Sequence, residues 1–173
     1  SLFSEKLVVI VGGTGGIGML LTDYIADNYK NASIAVIGRK PESELTSFIN
    51  KYRNRNVKYY SADICSENAL ESAFRKAEEN HGKKVSVIFN LAVRNIPKSD
   101  EKKIKDTSAS DVNEIFAKST AVKLIGMRNL EKIRKQRSAV LYNFSSLTSD
   151  FGWKNMSAYA ASNLLLENYS THI

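Results

Sequence analysis

Four side chains in the second half of the chain carry the groups needed to move a proton: the ammonium of Lys123, the hydroxyl of Ser146, the phenol of Tyr159 and the amide of Asn163. A phenol near its reference pKa of ~10 is a poor acid–base group close to neutrality. An ammonium about 4 Å away, at an effective dielectric of about 20, favours the phenolate by roughly 4 kcal/mol, on the order of three pKa units before screening. A phenol tuned in this way, beside a hydroxyl that holds a carbonyl oxygen, is suited to protonating that oxygen as hydride reaches its carbon. Taken singly, each residue has a plainer use: a packing tyrosine, a turn serine, a lysine snorkelling to the surface, a polar helix residue. Their register, and a glycine-rich turn far upstream, set them apart.

That turn, Gly12-Gly13-Thr14-Gly15-Gly16-Ile17-Gly18, follows the apolar run Leu7–Val11. It opens a segment in which Ile17, Leu20, Leu21, Tyr24 and Ile25 recur at helical spacing. Strand, tight turn and helix in this order place free amides and the positive end of a helix dipole against a phosphate. Gly12 permits a sharp exit from the strand, Gly16 close approach of a pyrophosphate, and Gly18 packing of helix on strand. No Gly-Lys-Ser/Thr follows, which excludes the phosphate loop of nucleotide hydrolases. After the second apolar run the chain reads Gly38-Arg39-Lys40, with no carboxylate before Glu42. A carboxylate there suits the free 2′-hydroxyl of NAD, whereas a planar guanidinium suits a 2′-phosphate. Arg39 with Lys40 therefore points to NADPH. Asp63 and Ile64 follow the third strand, Asp63 being a candidate acceptor for the adenine amino group or else a cap or turn residue. Asn90 ends the fourth strand, beside the cofactor.

The elements that must position these groups alternate. Strands are expected at Leu7–Val11, Ser33–Ile37, Val57–Tyr60, Val85–Phe89 and Ala139–Phe144. Helices are expected from the glycine turn onward, over Glu42–Arg53, Asn68–His81 and Val112–Arg137, and from about Ala158. Continuous apolar strands alternating with amphipathic helices predict an α/β fold, a doubly wound, Rossmann-like parallel sheet with right-handed crossovers. Residues 94–110 break the rhythm and read as a polar loop containing Pro97. At 173 residues the chain fits one nucleotide-binding domain, 1–173, with a real core. The strongly apolar fifth strand falls at a sheet edge, so the expectation is a fold truncated after the following helix, a fragment of a larger chain.

Composition narrows the class. A charged share of 25% is ordinary for a globular protein, and no apolar run reaches bilayer-spanning length. One cysteine, Cys65, excludes an internal disulfide and fits a reducing cytoplasm as a buried, inert thiol. The net charge of +7 fits a nucleic-acid binder, an acidic partner or phosphorylated cofactor, or a solvated surface. The densest runs, Lys132–Arg137 and Lys102–Lys105, lack interleaved aromatics, so a solvated surface is the expectation. His81 and His172 have no second ligand at useful spacing; both read as surface residues, and no metal is expected.

The glycine turn, Asp63, Asn90 and the 13-residue interval from Ser146 to Tyr159 resemble the short-chain dehydrogenase/reductase superfamily over nearly the whole chain. Ordinary members carry Tyr-x-x-x-Lys and place an asparagine on the preceding long helix. This chain has Tyr159-Ala160-Ala161-Ser162-Asn163, and Lys123 three residues before Gly126. The interchange resembles the ketoreductase domains of modular polyketide synthases, as do Val122–Leu130 and Asn143-Phe144-Ser145-Ser146. The resemblance implies reduction by NADPH of a β-ketoacyl thioester held on the phosphopantetheine arm of an acyl carrier protein, among neighbouring synthase domains. It implies that Ser146 holds the carbonyl, Tyr159 gives the proton, Lys123 tunes the phenol and Asn163 takes the water or ribose contact left by the displaced lysine. Ser145, one residue off the spacing, is expected to face away. Neither nucleic acid nor membrane is implied as a partner. Val11 and Val93 depart from the family's threonine and glycine, and Phe151 stands where one stereochemical type carries tryptophan, with Trp153 two residues on. A free-standing short-chain reductase of a small ketone or ketoacyl thioester, and a catalytically silent domain of the same fold, stay open beside this reading.

Overall fold

A computed structural model describes residues 3–93, 104–106, 108–152, 154 and 156–170. Five strands form one parallel sheet: β1 Leu7–Val11, β2 Ser33–Gly38, β3 Val57–Ser61, β4 Val85–Asn90 and β5 Val140–Asn143, in the order β3-β2-β1-β4-β5. The chain winds outward from β1 to β3, then crosses back to β4 and on to β5. The order therefore reverses between β1 and β4, where doubly wound sheets open a crevice at their carboxyl ends.

Alternation along β1 explains how both faces are covered. Leu7, Val9 and Val11 join a cluster with Leu70, Phe74, Leu130 and Ile133. Val8 and Ile10 join the opposite one, with Ile25, Phe48 and Tyr52. Every residue of β1 is buried, as a strand sandwiched between helical layers requires. Each such side chain stabilises the fold by about 1.5–3 kcal/mol.

The helices are α1 Gly16–Asn28, α2 Thr46–Lys51, α3 Glu67–His81, α4 Ala109–Thr120, α5 Gly126–Arg137, α6 Thr148–Phe151 and α7 Ser157–Ser170. The helix expected over Glu42–Arg53 splits into a 3-10 turn, Glu42–Glu44, and the short α2, because Leu45 leaves helical geometry at φ −118°, ψ 25°. The long helix expected from Val112 begins earlier, where Ser108 forms a capping box with Asp111. A π turn over Ala121–Ile125 interrupts it. Of the loop expected over 94–110, residues 94–103 and 107 lie outside the described residues, as do Trp153 and His172. The apolar spacing in α1 marks its buried face only in part: Ile25 is buried and Leu21 packs beside it, Gly18 and Thr22 also point inward, while Ile17, Leu20 and Tyr24 are exposed. β5 lies at the sheet edge, and its Tyr142 stacks on Phe89 at 5.3 Å.

The basic run at the end of α5 is not simply a solvated surface. Arg137 reaches inward to Glu71 at 2.7 Å, with a side chain only 8% exposed, and Lys132 pairs with Glu67 at 2.9 Å. His81 also departs from its expected surface position. Its ring is half-buried, Nδ1 lies 3.0 Å from Asn56 Oδ1, and Nε2 is buried without a partner. Burial, with the Lys58 and Lys83 ammonium groups nearby, pushes the imidazole down to about 4. The unfolded chain therefore binds a proton here, near pH 6.5, that the folded chain refuses until about 4, so stability falls as pH drops through that window. Urea denaturation at neutral and mildly acidic pH should show a loss in the parent chain that His81→Gln reduces.

Candidate active site

The crevice at the switch point is a cavity of about 890 Å³, walled on one side by the glycine turn and on the other by Phe144, Ser145, Met156 and Tyr159. Gly12 turns the chain out of β1 at φ +82°, and a Cβ there would stand 2.8 Å from the Leu91 carbonyl oxygen. At Gly18 a Cβ would meet Gly13 Cα at 2.5 Å, so only glycine lets α1 start this close to the strand. Gly16 instead faces open space, with nothing within 4 Å of a Cβ position. No side chain caps α1 at its first residues, which leaves its leading amides free toward the cavity. Thr14, Gly15, Ile17, Arg39, Lys40 and Ile64 line the same wall. An uncapped helix start, an open glycine face and two exposed cations fit a phosphorylated dinucleotide.

Asp63 and Asn90 are placed differently from the expectation. Asp63 is exposed and outside the cavity wall, and its Oδ1 accepts the Cys65 amide at 2.9 Å as a turn residue does. Asn90 is buried at the sheet end; its Nδ2 donates to Asn143 Oδ1 at 2.8 Å and its Oδ1 accepts the Ala92 amide at 3.3 Å. β4 and β5 pair in register at these two residues, so the amides meet across the sheet. Cys65 is half-buried, its thiol donating to the Ala121 carbonyl at 3.5 Å, and burial pushes that thiol up.

At the far wall, Lys123 sits on the π turn and is 3% exposed, with Nζ donating to the Phe144 carbonyl at 3.3 Å. Burial alone pushes its ammonium down to about 8. The π turn packs against α7, which carries Tyr159 and Asn163 one helical turn apart. Asn163 is fully buried; Nδ2 donates to the Tyr159 carbonyl at 2.9 Å, while Oδ1 has no partner among the described residues. Ser119 Oγ and Thr120 Oγ1, just before the π turn, are buried and unpartnered as well. Unpaired buried oxygens of this kind mark places for water or a ligand hydroxyl.

Ser146 follows β5 outside the cavity wall. Its Oγ accepts from the Thr148 hydroxyl at 2.9 Å and the Thr148 amide at 3.3 Å, which leaves its own proton to donate. Ser145, expected to face away, lines the cavity. Its hydroxyl donates to Glu167, as does that of Ser149 at 2.6 Å, and the two hold the Glu167 carboxyl below its ordinary range. Thr148 and Glu167 were not singled out by sequence. The signal was present for Glu167, which lies two helical turns beyond Tyr159 on the face of Asn163. Among the described residues no group of three His, Cys, Asp or Glu side chains could hold a metal, and no helix is long and apolar enough to cross a membrane.

Among curated proteins, the chain is 25% identical over 166 residues to an oxidoreductase, BOA17, of Botryotinia fuckeliana, covering 96% of this chain and 58% of that protein. It is 25% identical over 171 residues to the polyketide synthase PksN of Bacillus subtilis, covering 94% of this chain and 3% of the synthase. Among solved structures, a ketoreductase domain from the bacillaene assembly line superposes with a TM-score of 0.80 at 21% identity, over 96% of this chain and 39% of that one. An N-terminal ketoreductase from the macrolactin assembly line gives 0.77 at 23%, over 98% and 34%. At these identities the structural likeness speaks for the fold. The model of the KR domain family matches residues 7–173, and the chain belongs to that ketoreductase family of the short-chain dehydrogenase/reductase superfamily, whose fold binds a nicotinamide cofactor.

Proposed function

We propose that this chain is the cofactor-binding, catalytic part of a β-ketoacyl reductase domain of a polyketide synthase or hybrid assembly line, reducing a carrier-bound β-ketoacyl thioester to the β-hydroxyacyl form with NADPH. The observation that carries the reading is the buried ammonium of Lys123, held on a π turn against the helix of Tyr159 and Asn163 and bonded to a carbonyl in the cavity wall. π turns inside α-helices are frequent at functional sites, and a desolvated, strongly perturbed ionisable group beside a cavity is a mark of such sites.

When bound, the nicotinamide supplies hydride from C4. The glycine turn and the start of α1 would hold its pyrophosphate and Arg39 and Lys40 its 2′-phosphate, with Ile64 on the same wall, while Asp63 and Asn90 serve the loop and the sheet end beside it. Ser146 donates its free proton to the substrate carbonyl, with Thr148 fixing the oxygen. Tyr159 transfers its phenolic proton to the oxygen as hydride reaches the carbon, giving the alcohol and a phenolate. Lys123 stabilises that phenolate, and the free Asn163 Oδ1 accepts from a water or ribose hydroxyl through which the proton is replaced. The net charge of +7 complements an acidic acyl carrier protein, and the domain works in the cytoplasm. The 58% coverage of a fungal oxidoreductase favours, as second reading, a free-standing reductase of a small ketone.

Oxidation of NADPH by the intact protein, with a carrier-bound β-ketoacyl thioester and with a bicyclic ketone such as a decalone, tests both readings. Turnover of the thioester only when carrier-bound supports the first, and turnover of the free ketone alone the second. Tyr159→Phe should lower kcat by about 10²–10⁴-fold without loss of fold. In the parent chain kcat/KM should fall as pH rises past about 8, where the Lys123 ammonium loses its proton. Folding disfavours that ammonium at every pH below about 8, and the penalty fades towards 10.5. Lys123→Met should therefore abolish most turnover yet raise stability near neutrality, by about 3 kcal/mol at most, as measured by chemical denaturation.

A further inference from the structure

The turn after β2 carries both cations assigned to the 2′-phosphate, yet Arg39 and Lys40 belong to no strand or helix. Pro41 follows with no N–H to give, and the Lys40 carbonyl before it is taken by a side chain. Tyr59 provides it. It lies on β3, in register with Val36 of β2, and its phenol donates to the Lys40 carbonyl at 2.6 Å. Gly38 makes the room: a Cβ there would stand 3.1 Å from the Tyr59 hydroxyl oxygen and 3.5 Å from its ring. The ring is itself fixed, 7% exposed and edge-on to Phe48 at 6.1 Å. Burial, with the Glu42 carboxylate nearby, pushes the phenol up to about 12, so it remains a donor over the working range.

We infer that Tyr59 is a positioning residue for cofactor choice, its phenol holding the Lys40 carbonyl and thereby presenting Arg39 and Lys40 to a 2′-phosphate. Tyr59 is absent from the cavity wall and acts only through the turn. Two long cationic side chains on an unanchored turn must be ordered on binding, and that cost falls on the cofactor that contacts them. NAD, which has no 2′-phosphate, is indifferent to it. The inference rests on the NADPH reading above.

The test is calorimetric titration of the intact protein and of Tyr59→Phe with NADP+ and with NAD+, alongside kcat/KM for NADPH and NADH. Tyr59→Phe should cut the NADP+ over NAD+ affinity ratio about three- to tenfold, the worth of one hydrogen bond, and the loss should appear in KM for NADPH. Gly38→Ala, which crowds the same phenol, should lower the ratio in the same direction and decides the matter if Tyr59→Phe does not fold. An unchanged ratio in a folded variant, or an equal loss with both nucleotides, overturns the role of Tyr59 alone. If the parent chain itself shows no preference for NADP+, the reading of Arg39 fails first, and the inference with it.

Discussion

The far wall of the cavity is organised around one ammonium group kept out of water. Lys123 is 3% exposed, and its one hydrogen bond among the described residues runs to a neutral carbonyl at 3.3 Å. Such a bond returns about 1 kcal/mol, less than the desolvation of a charge costs. The fold tolerates the deficit because the lysine is anchored from both sides: the π turn is continuous with α4 and α5, and α7 packs across it.

That arrangement links the two walls of the cavity. Gly126, just past the π turn, is where a Cβ would strike Ile64 at 2.8 Å, and Asn129 donates to the Ile64 carbonyl at 2.9 Å. The segment after β3, on the nucleotide wall, is thereby pressed against the helix that carries Lys123. On the other side, Glu167 gathers the hydroxyls of Ser145 and Ser149 around Ser146 from the helix that carries Tyr159. Both walls of the cavity are thus braced by residues outside the quartet, the kind of support that precise positioning of functional groups requires.

The fold was largely legible because its signals are local. Leu7–Val11 and Val85–Asn90 are apolar on both faces, and the glycine turn follows β1 at once. Where tertiary contacts override local pattern, the reading slipped. Of the apolar stripe in α1, Ile25 and Leu21 pack on the core as expected, but the close approach of Gly18 to Gly13 turns the helix so that Gly18 and Thr22 also face inward and Ile17, Leu20 and Tyr24 stay exposed. His81 and Arg137 looked like surface charges, although long-range neighbours at Asn56, Glu71 and Glu78 draw them in. The π turn has no sequence signature at all, since it is a one-residue surplus absorbed where the long helix meets α7.

Residue type and spacing by themselves determined the parallel α/β sheet and the glycine turn at its crevice, and marked Lys123, Ser146, Tyr159 and Asn163 as candidates, because each rests on periodicity or on short intervals along the chain. Only the tertiary structure decided that the Lys123 side chain turns inward, that Asp63 Oδ1 and the Asn90 amide bond to the chain itself, and that Thr148 and Glu167 bond to Ser146 and Ser145. Those outcomes are set by which groups meet across the sheet and between helices. A hydrogen bond between residues 19 or 22 positions apart, such as Tyr59 to Lys40 or Ser145 to Glu167, leaves no mark in the spacing of either.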